Sequence, residues 1–141
     1  MAKFTLPKKT VPTIRTSLRI PALMRDKLHQ HMETEGYNQK QRNIWITEAI
    51  ESLLQRSDFP NLVAEEFIQA GSTVPIPLTL SGSLNDQINT ALTTIEDQEG
   101  ISKDRSALLR TAIIQRMLAN QNMQLSEKGL ASLKNVEEGE S

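Results

Sequence analysis

The chain has 141 residues, of which 38% are hydrophobic and 23% charged, values typical of a soluble globular protein and not of a disordered one. Aromatic residues make up only 4%, so a core must come from Leu, Ile, Val, Met and Ala, which suits packed helices better than a large β-sandwich. Cysteine is absent, which excludes a disulfide framework and a thiolate metal site.

The formal net charge of −1 argues weakly against a nucleic-acid partner, but its distribution argues the other way. Residues 1–27 carry Lys3, Lys8, Lys9, Arg15, Arg19, Arg25 and Lys27 against Asp26 alone. Residues 125–141 carry Glu127, Glu137, Glu138 and Glu140 against Lys128 and Lys134. A basic head with an acidic tail is a sign asymmetry, although solvated chain ends produce the same pattern. No segment approaches the roughly 20 apolar residues that span a bilayer. The first residues lack an apolar run of signal-peptide length, so the expected location is cytoplasmic, without membrane contact.

Residues 1–12 read as a flexible basic arm. The first copy of a repeat follows at 13–56. It opens on an alternating stretch in which Thr16, Leu18 and Ile20 face one side and Arg15, Ser17 and Arg19 the other, the period of a half-buried strand. Met24, Leu28 and Met32, with His31 beside them, then give one helical stripe, closed by Gly36 where a left-handed cap is wanted. A second helix carries Ile46, Ala49, Ile50 and Leu53, with Asn38 as its N-cap candidate. Residues 57–74 form a linker punctuated by Pro60 and Gly71. Leu62, Val63, Phe67 and Ile68 predict one short helix there that packs on the domain.

The second copy spans 75–120. Ile76, Leu78 and Leu80 alternate with Pro75, Pro77 and Thr79. Two prolines two residues apart lose their N–H groups on the same side, which a strand tolerates only along an unpaired edge. Leu84, Ile88, Leu92 and Ile95 form the next stripe, one turn longer than in the first copy, and Gly100 closes it. The last helix carries Leu109, Ala112, Ile113 and Met117, with Ser102 as its N-cap candidate. Residues 121–141 read as an acidic tail. A lone strand has no ladder partner, and a unit of about 45 residues buries too little surface alone. Each copy therefore needs another, supplied within the chain or by a second chain.

The order strand–helix–helix, with G-x-S-x-x-R-S-A-L-L-R-x-A-I at 100–113 and G-Y-N-Q-K-Q-R-N-I-W-I-T-E-A-I at 36–50, resembles the ribbon-helix-helix (MetJ/Arc/CopG-like) family over residues 13–56 and 75–120. The resemblance implies a mostly α fold with a two-stranded antiparallel ribbon, a tandem ribbon-helix-helix pseudo-dimer. It implies double-stranded DNA as the partner, read by the ribbon in the major groove. Tandem copies resemble the accessory DNA-binding proteins of plasmid conjugation and related plasmid regulators, so a transcriptional regulator or relaxosome accessory protein is expected.

The outward strand residues Arg15, Ser17 and Arg19, with Thr79 from the second copy, are the base-reading candidates, because a guanidinium donates two hydrogen bonds to guanine. Pro75 and Pro77 offer none, so copy two either supports the fold or meets thymine methyls, and an asymmetric site is expected. Phosphate candidates are Asn38, Gln39, Lys40, Gln41 and Arg42, and Ser102, Lys103 and Arg105, at the starts of the second helices, where unpaired N–H groups favour an anion. Lys3, Lys8 and Lys9 add a salt-sensitive arm. Several molecules could line up on one DNA through their helix faces.

An enzyme is not expected. His29 and His31 diverge on their helix and cannot share a metal. No phosphate-cradling loop or nucleophile elbow is present, and no cofactor is implied. Tyr37 and Trp45 read as packing residues. The alternative is an antitoxin or partition-type adaptor whose tail, with Met123, Leu125, Leu130, Leu133 and Val136, folds on a protein partner such as a toxin, relaxase or partition protein. On that alternative, deleting residues 121–141 abolishes capture of the partner in a pull-down and spares DNA binding in a mobility-shift assay.

Overall fold

The computed structural model describes residues 12–66 and 72–121. Lys3, Lys8 and Lys9 of the arm, Phe67, Ile68 and Gly71 of the linker, and the tail from residue 122, with Met123, Leu125, Leu130, Leu133 and Val136, lie outside them. In chain order the elements are β1 (Thr13–Pro21), α1 (Ala22–Thr34), a 3-10 turn (Gln39–Gln41), α2 (Arg42–Leu54), α3 (Phe59–Ala64), β2 (Thr73–Ser81) and α4 (Gly82–Glu99). A last helix, α5, covers residues 105–121. The described protein is mostly helical, with one two-stranded antiparallel sheet.

The sheet follows from the alternation. Leu18, Ile20, Ile76, Leu78 and Leu80 are buried on its inner face, while Arg15, Ser17, Arg19, Pro75, Pro77 and Thr79 are exposed on its outer face. The two nine-residue strands pair over their whole length, from Thr13↔Ser81 to Pro21↔Thr73, with Ser17 opposite Pro77 at the centre. The amides of Arg19 and Thr79 both point away from the partner strand, toward side chains of flanking helices. Pro75 and Pro77 share that parity with Thr79, so their missing donors fall on the outer edge, where the ladder does not need them.

Each strand runs directly into a helix. Ser81, in extended conformation, caps α4 by accepting a hydrogen bond from the Leu84 N–H at 3.0 Å. Pro21 holds the same place before α1 and has no side-chain acceptor to offer. The predicted glycine endings are present: Gly36 has φ 86° and Gly100 φ 68°. After α1 the Tyr37 N–H returns to the Met32 carbonyl (2.8 Å) and the Gly36 N–H to that of Glu33 (3.0 Å), the bond pair of a Schellman ending. Helix α4 is longer than α1, 18 residues against 13, which accounts for the extra turn read in the sequence. The linker forms the short helix α3, which buries Pro60 and Val63.

Both second-helix N-caps differ from expectation: Asn38 precedes the 3-10 turn, and Gln41 holds the N-cap position of α2 without a side-chain cap bond. Asp104, and not Ser102, caps α5, accepting from the Ala107 N–H at 2.8 Å. Helical conformation starts at residue 105, so position 104 is the one whose side chain can reach back, and a carboxylate is the stronger acceptor there.

One continuous core lies beneath the ribbon. Leu28 and Met32 of α1, Trp45, Ile46, Ile50 and Leu53 of α2, Ile88 and Ile95 of α4, and Leu108 and Ile113 of α5 all contribute to it. Every residue from Ala107 to Ile113 is buried, so the first turns of α5 are enclosed on all sides. Polar groups there must find internal partners, and the Thr111 hydroxyl donates to the Ala107 carbonyl at 2.8 Å.

Arg116 fastens the far end of α5 to the first helix pair. Its guanidinium donates to Glu35 Oε1 (2.8 Å), Glu48 Oε1 (3.1 Å) and the Trp45 carbonyl (2.9 Å). It also lies over the Trp45 ring at 4.5 Å. The indole N–H donates to Glu35 Oε2 at 2.9 Å, so Trp45 is a packed core residue with its one polar atom satisfied.

The two kinds of glycine give opposite predictions. Gly100→Ala forces a side chain into left-handed backbone and is expected to cost about 1–2 kcal/mol. Gly82→Ala opens α4 with ordinary contacts of 3.5 Å or more to Pro12, and is expected to stabilise by about 0.4–1 kcal/mol. Urea denaturation of the two variants checks both signs.

Candidate nucleic-acid interface

The outer face of the ribbon gathers all four base-reading candidates. Arg15 lies opposite Thr79, Ser17 opposite Pro77 and Arg19 opposite Pro75. The cationic side chains thus run along β1, and β2 presents two prolines and a hydroxyl. Arg15 is exposed and, among the described residues, makes no hydrogen bond. Arg19 is folded diagonally across the ribbon, with Nε donating to Thr73 Oγ1 (3.0 Å) and Nη2 to the Thr73 carbonyl (3.2 Å).

The edges of this face are held from the sides. Asn43, at the start of α2, meets the backbone of Thr79 with both ends of its amide: Oδ1 accepts from the Thr79 N–H at 2.7 Å and Nδ2 donates to its carbonyl at 2.9 Å. The backbone of Arg19, which like Thr79 is the seventh residue of its strand, is held in the same manner by two residues of α5. Ser106 Oγ accepts from the Arg19 N–H at 3.3 Å, and Arg110 Nη1 donates to the Arg19 carbonyl at 3.0 Å. Asn43 and Ser106 are each the second residue of their helix.

Arg110 has a second task. Its Nε donates to Glu66 Oε2 at 2.7 Å and its Nη2 to Glu66 Oε1 at 3.3 Å, a forked pair with both side chains only 8% exposed. Such a pair requires good geometry to offset desolvation, and removing one partner strands a buried charge. The Glu66 carbonyl also accepts from Lys103 Nζ at 2.6 Å.

The phosphate candidates divide into two groups. At the start of α2, Asn38, Gln39 and Lys40 are exposed. The Asn38 N–H donates to Gln41 Oε1 and the Gln41 N–H to the Asn38 carbonyl, both at 2.9 Å, which fixes this turn. Arg42 is half-buried, its Nη1 3.2 Å from His29 Nε2. At the start of α5, Ser102 is exposed, but Lys103 is bound to Glu66 and Arg105 donates to Asn89 Oδ1 (3.0 Å) and Asn85 Oδ1 (2.6 Å) of α4. The Asp104 carboxylate already occupies this helix start, so it is less receptive to an anion than the start of α2.

Asn43, Ser106, Arg110 and Glu66 were not singled out from the sequence. The available signal was a polar residue on a buried stripe: Asn43 lies three residues before Ile46, and Arg110 three before Ile113. Among the described residues no group of three His, Cys, Asp or Glu side chains stands where it could hold a metal ion, and no helix is long and apolar enough to cross a membrane. Compared with protein-family models, curated proteins and solved structures, the chain matches none.

The bond from Arg42 to His29 requires a neutral imidazole nitrogen as acceptor. Burial, followed by the positive charges of Arg42 and Arg25, lowers the His29 pKa from its ordinary 6.5. A depressed folded pKa means that His29 destabilises nothing above its unfolded pKa, and that stability falls as pH drops from there through the folded value. An NMR titration is expected to find His29 below 6.5. Arg42→Ala is expected to raise it only part of the way, because burial remains.

Proposed function

We propose that the protein is a tandem ribbon-helix-helix DNA-binding protein whose two copies form one ribbon that reads double-stranded DNA in the major groove. The observation that carries this reading is the outer face of the ribbon, which exposes Arg15, Ser17, Arg19 and Thr79 while its backbone is held rigidly from both edges. The pseudo-dimer is supported by the swap in those edge contacts. A helix of the first half, α2, holds β2, and a helix of the second half, α5, holds β1. The strand register runs symmetrically about Ser17 and Pro77.

In this reading Arg15 is ready to donate two hydrogen bonds to a guanine edge, and Arg19 exchanges its Thr73 contacts for a second guanine. Each such bidentate contact contributes about 1–3 kcal/mol of discrimination. Thr79 adds a hydroxyl, and the prolines meet apolar base edges. Asn38, Gln39, Lys40 and the start of α2 take a phosphate on one flank. Ser102 is open to the other flank, whereas Lys103 and Arg105 would serve it only by giving up the partners they now hold. The arm with Lys8 and Lys9 adds sequence-independent attraction. The biological setting that fits best is a cytoplasmic plasmid-type transcriptional regulator or relaxosome accessory protein that brings a protein partner to the bound site.

Selection of bound duplexes from a random pool tests the proposal. The wild type is expected to enrich a short asymmetric motif, and Arg15→Ala/Arg19→Ala to lose it without a fall in melting temperature. If the second strand mainly supports the fold, Thr79→Ala is expected to change affinity little, whereas a marked loss would assign its hydroxyl to base reading. A palindromic motif would point instead to ribbon pairing between chains, and binding that enriches nothing and vanishes with salt would sink base reading altogether.

A further inference from the structure

The two ribbon edges are held by unequal means. The backbone of Thr79 needs only Asn43, whose amide supplies acceptor and donor together. The backbone of Arg19 needs two residues, and the donor, Arg110, is itself fixed by the Glu66 carboxylate of the linker. Glu66 in turn is anchored from both sides. Its N–H donates to the carbonyl of Val63, a fully buried residue of α3, and its carbonyl accepts from Lys103. A continuous path of short polar contacts therefore runs from the linker through Arg110 to the backbone from which the Arg19 side chain springs.

We infer that Glu66 and Arg110 are positioning residues for base reading, so that the linker between the two halves carries part of the DNA selectivity. The inference rests on the proposed reading of DNA by Arg19. A two-stranded ribbon is free to vary its twist more than a wider sheet. Fixing both the N–H and the carbonyl of Arg19 sets the direction in which its side chain leaves the ribbon. A bidentate contact to guanine is demanding in both distance and plane, so a rotated origin loses selectivity before it loses general affinity. Lysine cannot replace Arg110, since a single ammonium lacks the planar fork that holds the Glu66 carboxylate on one side and a carbonyl on the other.

The test uses the full chain and the duplex enriched from the random pool, against a scrambled duplex of equal length and composition. Glu66→Gln and Arg110→Lys are each expected to lower the ratio of the two affinities about tenfold, with scrambled-duplex affinity nearly unchanged. In an Arg19→Ala background the same substitutions are expected to lower it no further. Without DNA, amide hydrogen exchange is expected to rise at Arg19 in both variants and to stay constant at Thr79, whose clamp does not involve the linker. Should Arg110→Lys fail to fold, Glu66→Gln and Ser106→Ala carry the measurement. An unchanged ratio in folded variants, or an equal loss in the Arg19→Ala background, overturns the inference while leaving Arg19 as a reader. A wild type that does not distinguish the two duplexes removes the DNA reading itself, and the inference with it, whatever the exchange rates show.

Discussion

A ribbon of two strands has a single internal ladder, so half of its backbone donors and acceptors face outward with no strand to meet them. Much of this molecule can be understood as the answer to that constraint. At 75 and 77 the donor is removed by proline. At Thr79 and Arg19 the outward N–H and carbonyl are both taken up by side chains from the starts of α2 and α5. These contacts place the beginning of each helix against the ribbon edge. The apolar stripes that follow then fall beneath the inner face, and Arg116 fastens the far end of α5 to Trp45, Glu35 and Glu48. Hydrogen bonds at the ribbon edges and burial of apolar surface act together here, because the residues that satisfy the backbone also orient the helices that cover it.

The same constraint makes the two halves chemically distinct. Asn43 is a compact solution: neutral, and complete in one side chain. The other edge employs a buried guanidinium, whose charge must be matched, and the match comes from Glu66 in the linker. Glu66, in the connection between the halves, is thus part of the polar interior of the protein. The outward faces diverge too, since β1 carries arginines and β2 prolines. If the ribbon reads DNA as proposed, the strand with the charged readers is also the one whose backbone carbonyl is held by a charged group.

Most of the architecture was legible because it is encoded locally. The period-two stretches around Leu18 and Leu78, the helical stripes and the two glycine endings each involve residues within a few positions of one another. The short linker helix was legible for the same reason, and the N-cap of α5 was misplaced by two residues because Ser102 and Asp104 are both good caps. The clamps were not legible, since Asn43 and Thr79 are 36 residues apart and Arg110 and Arg19 are 91 apart. Lys103 and Arg105 show the converse limit. Their position at a helix start suggests anion binding, yet in the folded chain both are bound to neighbours that no local pattern reveals.

The pairing of β1 with β2 inside one chain also has a consequence for behaviour at low abundance. A ribbon made between separate chains exists only above its dissociation constant, so its folded population falls on dilution. A ribbon closed within one molecule experiences instead an effective concentration fixed by the connecting segment. Its integrity is then independent of protein concentration, and if the ribbon reads DNA as proposed, occupancy of a site follows the first power of that concentration, not the second.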